Sequence, residues 1–131
     1  MTNLSSGHKV LPGEDSTVDG LLDLDGEIFE VGGGYWVKIK ARRVAATSSK
    51  PHGIDYSLCL FGPNNERLVC FDNAHAVPVG SGPAKKQTSE NDHVHKKGVT
   101  RPRPYVFTDA GTLLVDFWAA VYTILKREGV P

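Results

Sequence analysis

Long hydrophobic runs, an excess of one charge and abundant cysteine are all missing from this sequence. No apolar stretch approaches the roughly 18–20 residues that a membrane-spanning helix needs, and the N-terminus lacks the charged-then-apolar order of a signal peptide. Fifteen basic and fifteen acidic side chains cancel, so net charge indicates neither nucleic acid nor membrane as a partner. We therefore expect a cytoplasmic protein with no membrane partner, whose electrostatic interactions are local.

The two cysteines, Cys59 and Cys70, lie in apolar, strand-like segments. They lack the CxxC spacing of metal and redox motifs, and two cysteines do not make a disulfide-rich framework. Free cysteine is among the most buried residue types. The sequence therefore predicts two buried free thiols.

The composition suits one globular domain, because 131 residues with 40% hydrophobic content can bury a core without a metal or disulfides. Residues 1–19 are rich in serine and glycine and show little periodicity, which predicts a flexible N-terminal arm. Residues 20–129 form the predicted single α+β domain.

Strand-like runs separated by turn-forming residues dominate the first part of that domain. They cover Glu27–Val31, Tyr35–Ala46, Ile54–Phe61 and Arg67–Asn73, and a short returning run covers Tyr105–Phe107. Between the last two, residues 78–103 are rich in proline and glycine, which predicts a long loop.

The C-terminal segment has the pattern of an amphipathic helix. Apolar residues recur at intervals of three and four from Leu113 to Leu125, which places them on one helix face. Thr108 or Asp109 can cap its first turn, and Gly129 can end it. The predicted architecture is α+β: an antiparallel β-meander of about four to five strands with one long C-terminal helix packed on one face.

One predicted strand carries a cationic side. Within Trp36–Val44, side chains alternate between an apolar side, Val37, Ile39 and Ala41, and a cationic side, Lys38, Lys40 and Arg42. Successive cations on such a strand lie about 7 Å apart, close to the spacing of successive phosphates on a nucleic-acid strand. The three cations are the predicted nucleic-acid-binding residues, and the alternative is a solvated sheet face that only maintains solubility.

Three of the five histidines fall into two short clusters. Asp72-Asn73-Ala74-His75 ends an apolar run, and Asp92-His93-Val94-His95 lies in the predicted loop. Histidine exchanges protons near neutral pH and is the commonest metal ligand, and a neighbouring carboxylate can hold an imidazole in one tautomer. The candidate catalytic residues are therefore His75, His93, His95, Asp72 and Asp92.

Two kinds of chemistry fit these clusters. A metal-free site needs a general base, a general acid and cations beside a phosphate. RNA cleavage can use the 2′-hydroxyl as its nucleophile, so no serine or cysteine nucleophile is required. A metal site with His93, His95 and His75 as ligands is the alternative, although no HExxH or paired-cysteine spacing supports it.

Six segments occur in a characteristic order: Tyr35–Arg42, His52–Leu58, Arg67–His75, Asp92–His95, Pro104–Phe107 and Leu113–Trp118. Their order resembles the TumE-like toxin family of prokaryotic toxin–antitoxin systems, and the resemblance covers about residues 20–126. The segment from Val77 to Glu90 is longer and richer in lysine than we expect of that family.

The resemblance implies a small cytoplasmic toxin held in check by a cognate antitoxin, a helix-turn-helix DNA-binding protein encoded next to it. Many toxins of this size are endoribonucleases. We therefore expect a type II toxin that cleaves RNA by histidine acid/base catalysis, with no metal or other cofactor. The alternatives are a non-enzymatic module that binds nucleic acid or the antitoxin, and a metal-dependent hydrolase that uses the HxH cluster.

Overall fold

The computed structural model describes residues 15–48, 50–73 and 92–131, together with the backbone of two short strands between the last two ranges. The helices are α1 (Val18–Leu22) and α2 (Ala110–Arg127). The strands are β1 (Ile28–Gly32), β2 (Tyr35–Arg43), β3 (Ile54–Phe61), β4 (Arg67–Asp72), β5 (Pro78–Val79), β6 (Lys86–Gln87), β7 (His93–Lys96) and β8 (Arg103–Pro104).

Six strands form one antiparallel sheet in the order β1-β2-β3-β4-β7-β8, and β5 pairs with β6 separately. Helix α2 packs on one face of the large sheet, and the core lies between them. The predicted α+β architecture with a long C-terminal helix is therefore confirmed. The predicted order of the first four strands along the chain also matches the sheet.

The segment predicted as a loop over residues 78–103 differs from that prediction. Its residues 93–96 form β7, which pairs with β4 over four positions, and β8 forms the edge beyond it. Tyr105–Phe107, predicted as a strand, lies just after β8 and is not a strand. A four-residue strand with two histidines and a lysine has no apolar pattern of its own, so its conformation depends on its partners in the sheet.

The side of β2 that faces the core is the apolar side predicted from sequence. Val37 and Ile39 are fully buried and Ala41 is nearly so. They lie under the apolar side of α2, whose buried residues are Ala110, Leu113, Phe117, Val121, Ile124 and Leu125. The alternation of β2 therefore leaves its cationic side chains on the opposite face of the sheet.

Helix α2 begins with a dense set of caps. Asp109, one of the two predicted caps, accepts a hydrogen bond from the Thr112 N–H at 2.7 Å. Asp15 accepts from the Ala110 N–H at 2.6 Å, and Thr17 Oγ1 accepts from the Gly111 N–H at 2.8 Å. Three N–H groups that a helix leaves without internal partners are thus satisfied. At the other end of α2, the predicted stop, Gly129, has a φ of 77°.

The predicted N-terminal arm of residues 1–19 falls largely outside the described residues, which begin at Asp15. The boundary between arm and domain at residue 20 stays a prediction.

Candidate nucleic-acid-binding and catalytic face

The sheet face opposite α2 carries most of the predicted site residues. Directly paired residues of antiparallel strands lie on the same face, so the register defines rows across the sheet. One row is Lys38, Cys59, Cys70 and His95, and the next is Lys40, Ser57, Asp72 and His93. We call this surface the polar face; it also includes Trp36 with Phe61 and Arg42 with Asp55, which are paired across β2 and β3.

The three predicted phosphate-binding cations differ in their surroundings. Arg42 lies 3.3 Å from Asp55, which Lys50 also approaches at 3.4 Å. Lys38 is half-buried and Lys40 is exposed. Within the described ranges, neither lysine forms an ion pair. The positive charge of these two lysines is therefore available to an anion.

A cavity of about 430 Å³ adjoins Lys40 and Arg42. Its volume lies in the range of small-ligand sites, about 300–1,000 Å³. It is lined by Asp25, Lys40, Ala41, Arg42, Asp55, Tyr56 and Ser57. Two cations and two carboxylates thus surround a space beside the row of Lys40 and Ser57.

The His95 imidazole faces the Asp72 carboxylate on the polar face. Asp72 Oδ2 lies 3.5 Å from His95 Nε2, and the exposed fractions of their side chains are 12% and 29%. The carboxylate comes from β4 and the imidazole from the neighbouring β7. A carboxylate that orients an imidazole which still reaches solvent is an arrangement suited to proton transfer.

His93 lies on the same face as His95, with 6.1 Å between the ring centroids. It is only 2% exposed, whereas His95 is half-buried. The structure thus brings His93 and His95 together with Asp72, opposite α2. His75, the third predicted catalytic histidine, lies outside the described residues.

The Asp92 side chain lies on the other side of the sheet, where it contacts Tyr56 and His52. Its carboxylate accepts a hydrogen bond from the Tyr56 hydroxyl at 2.7 Å and lies 3.0 Å from His52 Nε2. The Ile54 N–H donates to His52 Nδ1 at 3.3 Å. Because Nδ1 accepts, the proton of a neutral His52 is on Nε2 and is donated to Asp92.

This buried network fixes the start of β7. The ring of Phe107 packs against His52 with centroids 4.2 Å apart, and the Tyr105 N–H donates to the Asp92 carbonyl at 2.8 Å. Burial raises the pKa of the Tyr56 hydroxyl, and the neighbouring Asp92 carboxylate raises it further. Tyr56 therefore remains a proton donor to Asp92.

The helix contacts the segment after β8 through a second, half-buried tyrosine. The Tyr105 hydroxyl donates to Asp116 of α2 at 2.6 Å, and burial, followed by this hydrogen bond, raises the Tyr105 pKa. Asp92 and Asp116 thus both bind Tyr105, the residue directly after β8. The short strand β7 is positioned by these contacts as well as by its pairing with β4.

A family model described as Toxin TumE matches residues 17–125. The chain belongs to the TumE toxin family. The resemblance inferred from the order of the sequence motifs is confirmed, and membership of a toxin family implies an antitoxin partner. No curated protein and no solved structure matches the chain at a significant level.

The two cysteines of this TumE-family chain form a disulfide in the structure, with a Cα–Cα distance of 4.1 Å between Cys59 and Cys70. The prediction of two free thiols is therefore wrong. The cysteines are directly opposite each other in the β3–β4 register. Cys59 lies three residues before, and Cys70 four residues after, the Gly62–Glu66 segment that joins the two predicted strands, and these similar separations are the sequence signal that indicates their pairing.

Two other features of the TumE-family site did not follow from sequence. His52 and Tyr56 lie 40 and 36 residues from Asp92 along the chain, so no local pattern connects them. Trp36 precedes Lys38 by two residues, and this spacing places its ring on the same strand side as the cations. The spacing of Trp36 is therefore a sequence signal that could have added it to the site.

Two findings concern the metal and membrane alternatives. Among residues 15–48, 50–73 and 92–131, no three His, Cys, Asp or Glu side chains gather closely enough to hold a metal ion; His75, a ligand in the metal alternative, is outside them. In the described part of the chain, no helix has the length and apolar character needed to cross a bilayer.

Proposed function

We propose that this TumE-family toxin is a cytoplasmic, metal-independent endoribonuclease of a type II system that cleaves single-stranded RNA on its polar face. The observation that carries the proposal is the Asp72–His95 pair, which shares that face with Lys38 and Lys40. A proton-transfer group and phosphate-binding cations are the two requirements for RNA cleavage without a metal.

The width of the sheet suits a short piece of RNA. From β2 to β7 there are three strand spacings, or about 14 Å at roughly 4.8 Å each. A single strand that crosses the face therefore meets the β2 cations with one phosphate and His95 with a later one.

The proposed reaction begins with His95, oriented by Asp72, which accepts the proton of a ribose 2′-hydroxyl. The 2′-oxygen then bonds to the adjacent phosphorus, and the bond from phosphorus to the 5′-oxygen of the next nucleotide breaks. A second acid protonates that 5′-oxygen, and Lys38 or Lys40 stabilises the negative charge that develops on the phosphoryl oxygens. The products are a 2′,3′-cyclic phosphate and a 5′-hydroxyl.

The remaining predicted catalytic residues receive different roles in this proposal. We assign the second acid to His75, three residues after β4 in sequence. His93 is too buried to meet substrate directly, so we assign it to positioning the ring of His95. Asp92 is also a positioning residue, because it acts on β7 through His52 and Tyr56.

The test of the chemistry is an analysis of cleavage products from a labelled single-stranded RNA. We expect 2′,3′-cyclic phosphate ends, no cleavage when the ribose at the cut site is replaced by 2′-deoxyribose, and full activity in excess EDTA. Cleavage of the deoxy-substituted strand would contradict an attack by the 2′-hydroxyl. Loss of activity in EDTA that added Mn²⁺ or Zn²⁺ restores would favour the metal-dependent alternative.

The test of phosphate binding uses the salt dependence of RNA affinity. Each phosphate neutralised on a single strand contributes a slope of about −0.7 in log affinity against log salt. Replacing Lys38, Lys40 and Arg42 together by serine should flatten the slope by about two, with the fold unchanged. Lys126→Ser, an exposed cation on α2, is the matched control and should leave the slope as it is.

The resemblance also supports a specific antitoxin, a helix-turn-helix DNA-binding protein encoded next to the toxin. Co-expression of the adjacent reading frame should restore growth to cells that express the toxin, and the two proteins should co-purify. Neutralisation by a neighbour that lacks a helix-turn-helix sequence pattern would contradict this identity.

A further inference from the structure

Two stacked aromatic rings lie on the polar face, at one end of the cationic row. Trp36 of β2 and Phe61 of β3 are direct partners in the register. Their ring centroids are 4.3 Å apart and their planes differ by 19°. The indole Nε1–H donates to Asn65 Oδ1 at 3.2 Å, so both the plane and the orientation of the Trp36 ring are fixed.

The location of this aromatic pair is unusual for the molecule. The rings of Phe71 and Phe117 pack in the core between sheet and helix, whereas Trp36 and Phe61 project from the opposite face. Both are half-buried, so part of each ring contacts solvent. Phe61 covers one face of the indole, and no other described ring stacks on the second face. A planar ligand can therefore stack there.

The charges around Trp36 determine which planar group can stack on the open face of its ring. Lys38 follows on the same side of β2, about 7 Å along the strand, a separation comparable with the span of one nucleotide. Glu30, which is exposed, is the register partner of Trp36 on β1. Its carboxylate disfavours a phosphate beside the ring but not an uncharged base. The end of the row thus favours a base at Trp36 and a phosphate at Lys38.

We propose that Trp36, supported by Phe61, is a stacking site for an unpaired base of single-stranded RNA, whose adjacent phosphate is bound by Lys38. The proposal rests on the proposed function, since it names how the same face selects its substrate. Unpaired bases stack on aromatic side chains in single-stranded complexes, whereas the bases of a duplex are already stacked on each other. The polar face therefore prefers single-stranded over double-stranded RNA.

The expected effects follow from the strength of such stacking. Removal of an aromatic platform weakens single-strand binding by about 5- to 150-fold per base. We expect Trp36→Leu to lower affinity within that range and to leave the salt slope unchanged, because no phosphate contact is lost. Trp36→Phe keeps an aromatic ring and should bind within about threefold of the wild type. Lys38→Ser should instead reduce the salt slope.

The experiment is a fluorescence titration with a 2′-O-methyl RNA oligomer, which lacks the nucleophilic hydroxyl and is not consumed. Stacking should quench Trp36 emission in the wild type. The second of the two tryptophans, Trp118, is on α2 and contacts Phe29 on the core side of the sheet. The Trp36→Phe variant should therefore bind the oligomer with no quenching, and an oligomer with abasic sites should bind wild type and Trp36→Leu equally.

The outcomes separate this inference from the proposed function. An oligomer that binds the wild type without quenching, or that binds Trp36→Leu as tightly, overturns the stacking site and leaves the nuclease proposal intact. Failure of the wild type to bind any single-stranded RNA overturns both. If Trp36→Leu does not fold, as judged by circular dichroism, the quenching difference between wild type and Trp36→Phe decides alone. Tighter binding of a duplex of the same sequence also overturns the proposal.

Discussion

Replacing Asp92 by alanine should destabilise the protein, because its side chain joins two other parts of the chain through Tyr56 and His52. The Asp92 carboxylate is buried and accepts hydrogen bonds from Tyr56 and His52. Its removal leaves the Tyr56 hydroxyl, in a residue 2% exposed, without its partner, and an unsatisfied buried donor costs about 1–3 kcal/mol. Loss of the His52 bond adds about 1 kcal/mol.

Part of that loss is offset, because a buried carboxylate carries its own desolvation cost. We therefore expect Asp92→Ala to lower the free energy of unfolding by about 2–3 kcal/mol. Tyr56→Phe alone should cost about 1 kcal/mol, since Asp92 keeps His52. In the double variant the Tyr56 donor is absent and only His52 loses its partner, so the two effects should be less than additive by about 1 kcal/mol or more.

Urea unfolding of the wild type, the two single variants and the double variant, without reductant, measures the coupling between Asp92 and Tyr56. Asp23→Ala is the control, because Asp23 is an exposed carboxylate, and surface substitutions usually stay within about 0.5 kcal/mol. Hydrogen exchange of the β7 amides should accelerate in Asp92→Ala and not in the control. An Asp92→Ala protein as stable as the control, or strictly additive effects, would refute the network as the anchor of β7.

Three further predictions concern stability. Burial and Asp92 raise the folded-state pKa of Tyr56 above its unfolded value, so its contribution to stability is complete below about pH 10 and falls above it by about 1.4 kcal/mol per pH unit. Tyr105, whose pKa is also raised, adds to the slope, so Tyr56→Phe should make the slope shallower without removing it; equal slopes in the two proteins would contradict this. Reduction of the Cys59–Cys70 disulfide, which spans 11 residues, should cost about 2–3 kcal/mol in urea unfolding, and a variant with serine at both positions should not respond to dithiothreitol. Burial acts to raise the Asp15 pKa, but hydrogen bonds from Thr17 and the Ala110 N–H outweigh it and lower the pKa. Asp15→Ala should therefore cost about 1 kcal/mol at pH 7, a difference lost as the pH falls below about 4; a pH-independent difference would contradict this.

The parts of the fold that sequence predicts are those with a strong local pattern. The alternation in β2 identifies both the buried residues Val37 and Ile39 and the cationic side of Lys38 and Lys40. The three-and-four spacing in α2, with its Asp109 cap, predicts the helix almost to the residue. These features depend on residues that are close in sequence, so a single amino-acid sequence is enough to predict them.

The parts that sequence does not predict depend on partners distant in the chain. Strand β7 is ordered by β4 and by the Asp92 contacts, not by its own residues. Asp92 has His93 as its sequence neighbour, but alternation of the backbone turns it towards the other face, where Tyr56 and His52 lie. The same alternation places His93 and His95 on one face, through the register of β7 with β4.

The candidate site was thus predicted in its composition more than in its arrangement. Asp72 and His95 were both singled out, yet in separate clusters, and their pairing at 3.5 Å follows from the β4–β7 register. The disulfide shows the same limit, because opposite positions in a hairpin depend on its turn and on the irregularity between Leu60 and Phe61.

The most direct test of the central claim compares RNA cleavage by the wild type, His95→Ala and His8→Ala, the last being a histidine from the predicted N-terminal arm. Loss of a general acid or base should slow cleavage by about 100-fold or more, while RNA affinity and its salt slope stay close to wild type, since the residue acts mainly in the transition state. His8→Ala should cleave at the wild-type rate and arrest growth without the antitoxin, and His95→Ala should do neither. Undiminished cleavage and growth arrest by His95→Ala would contradict the assignment of the polar face as a nuclease site.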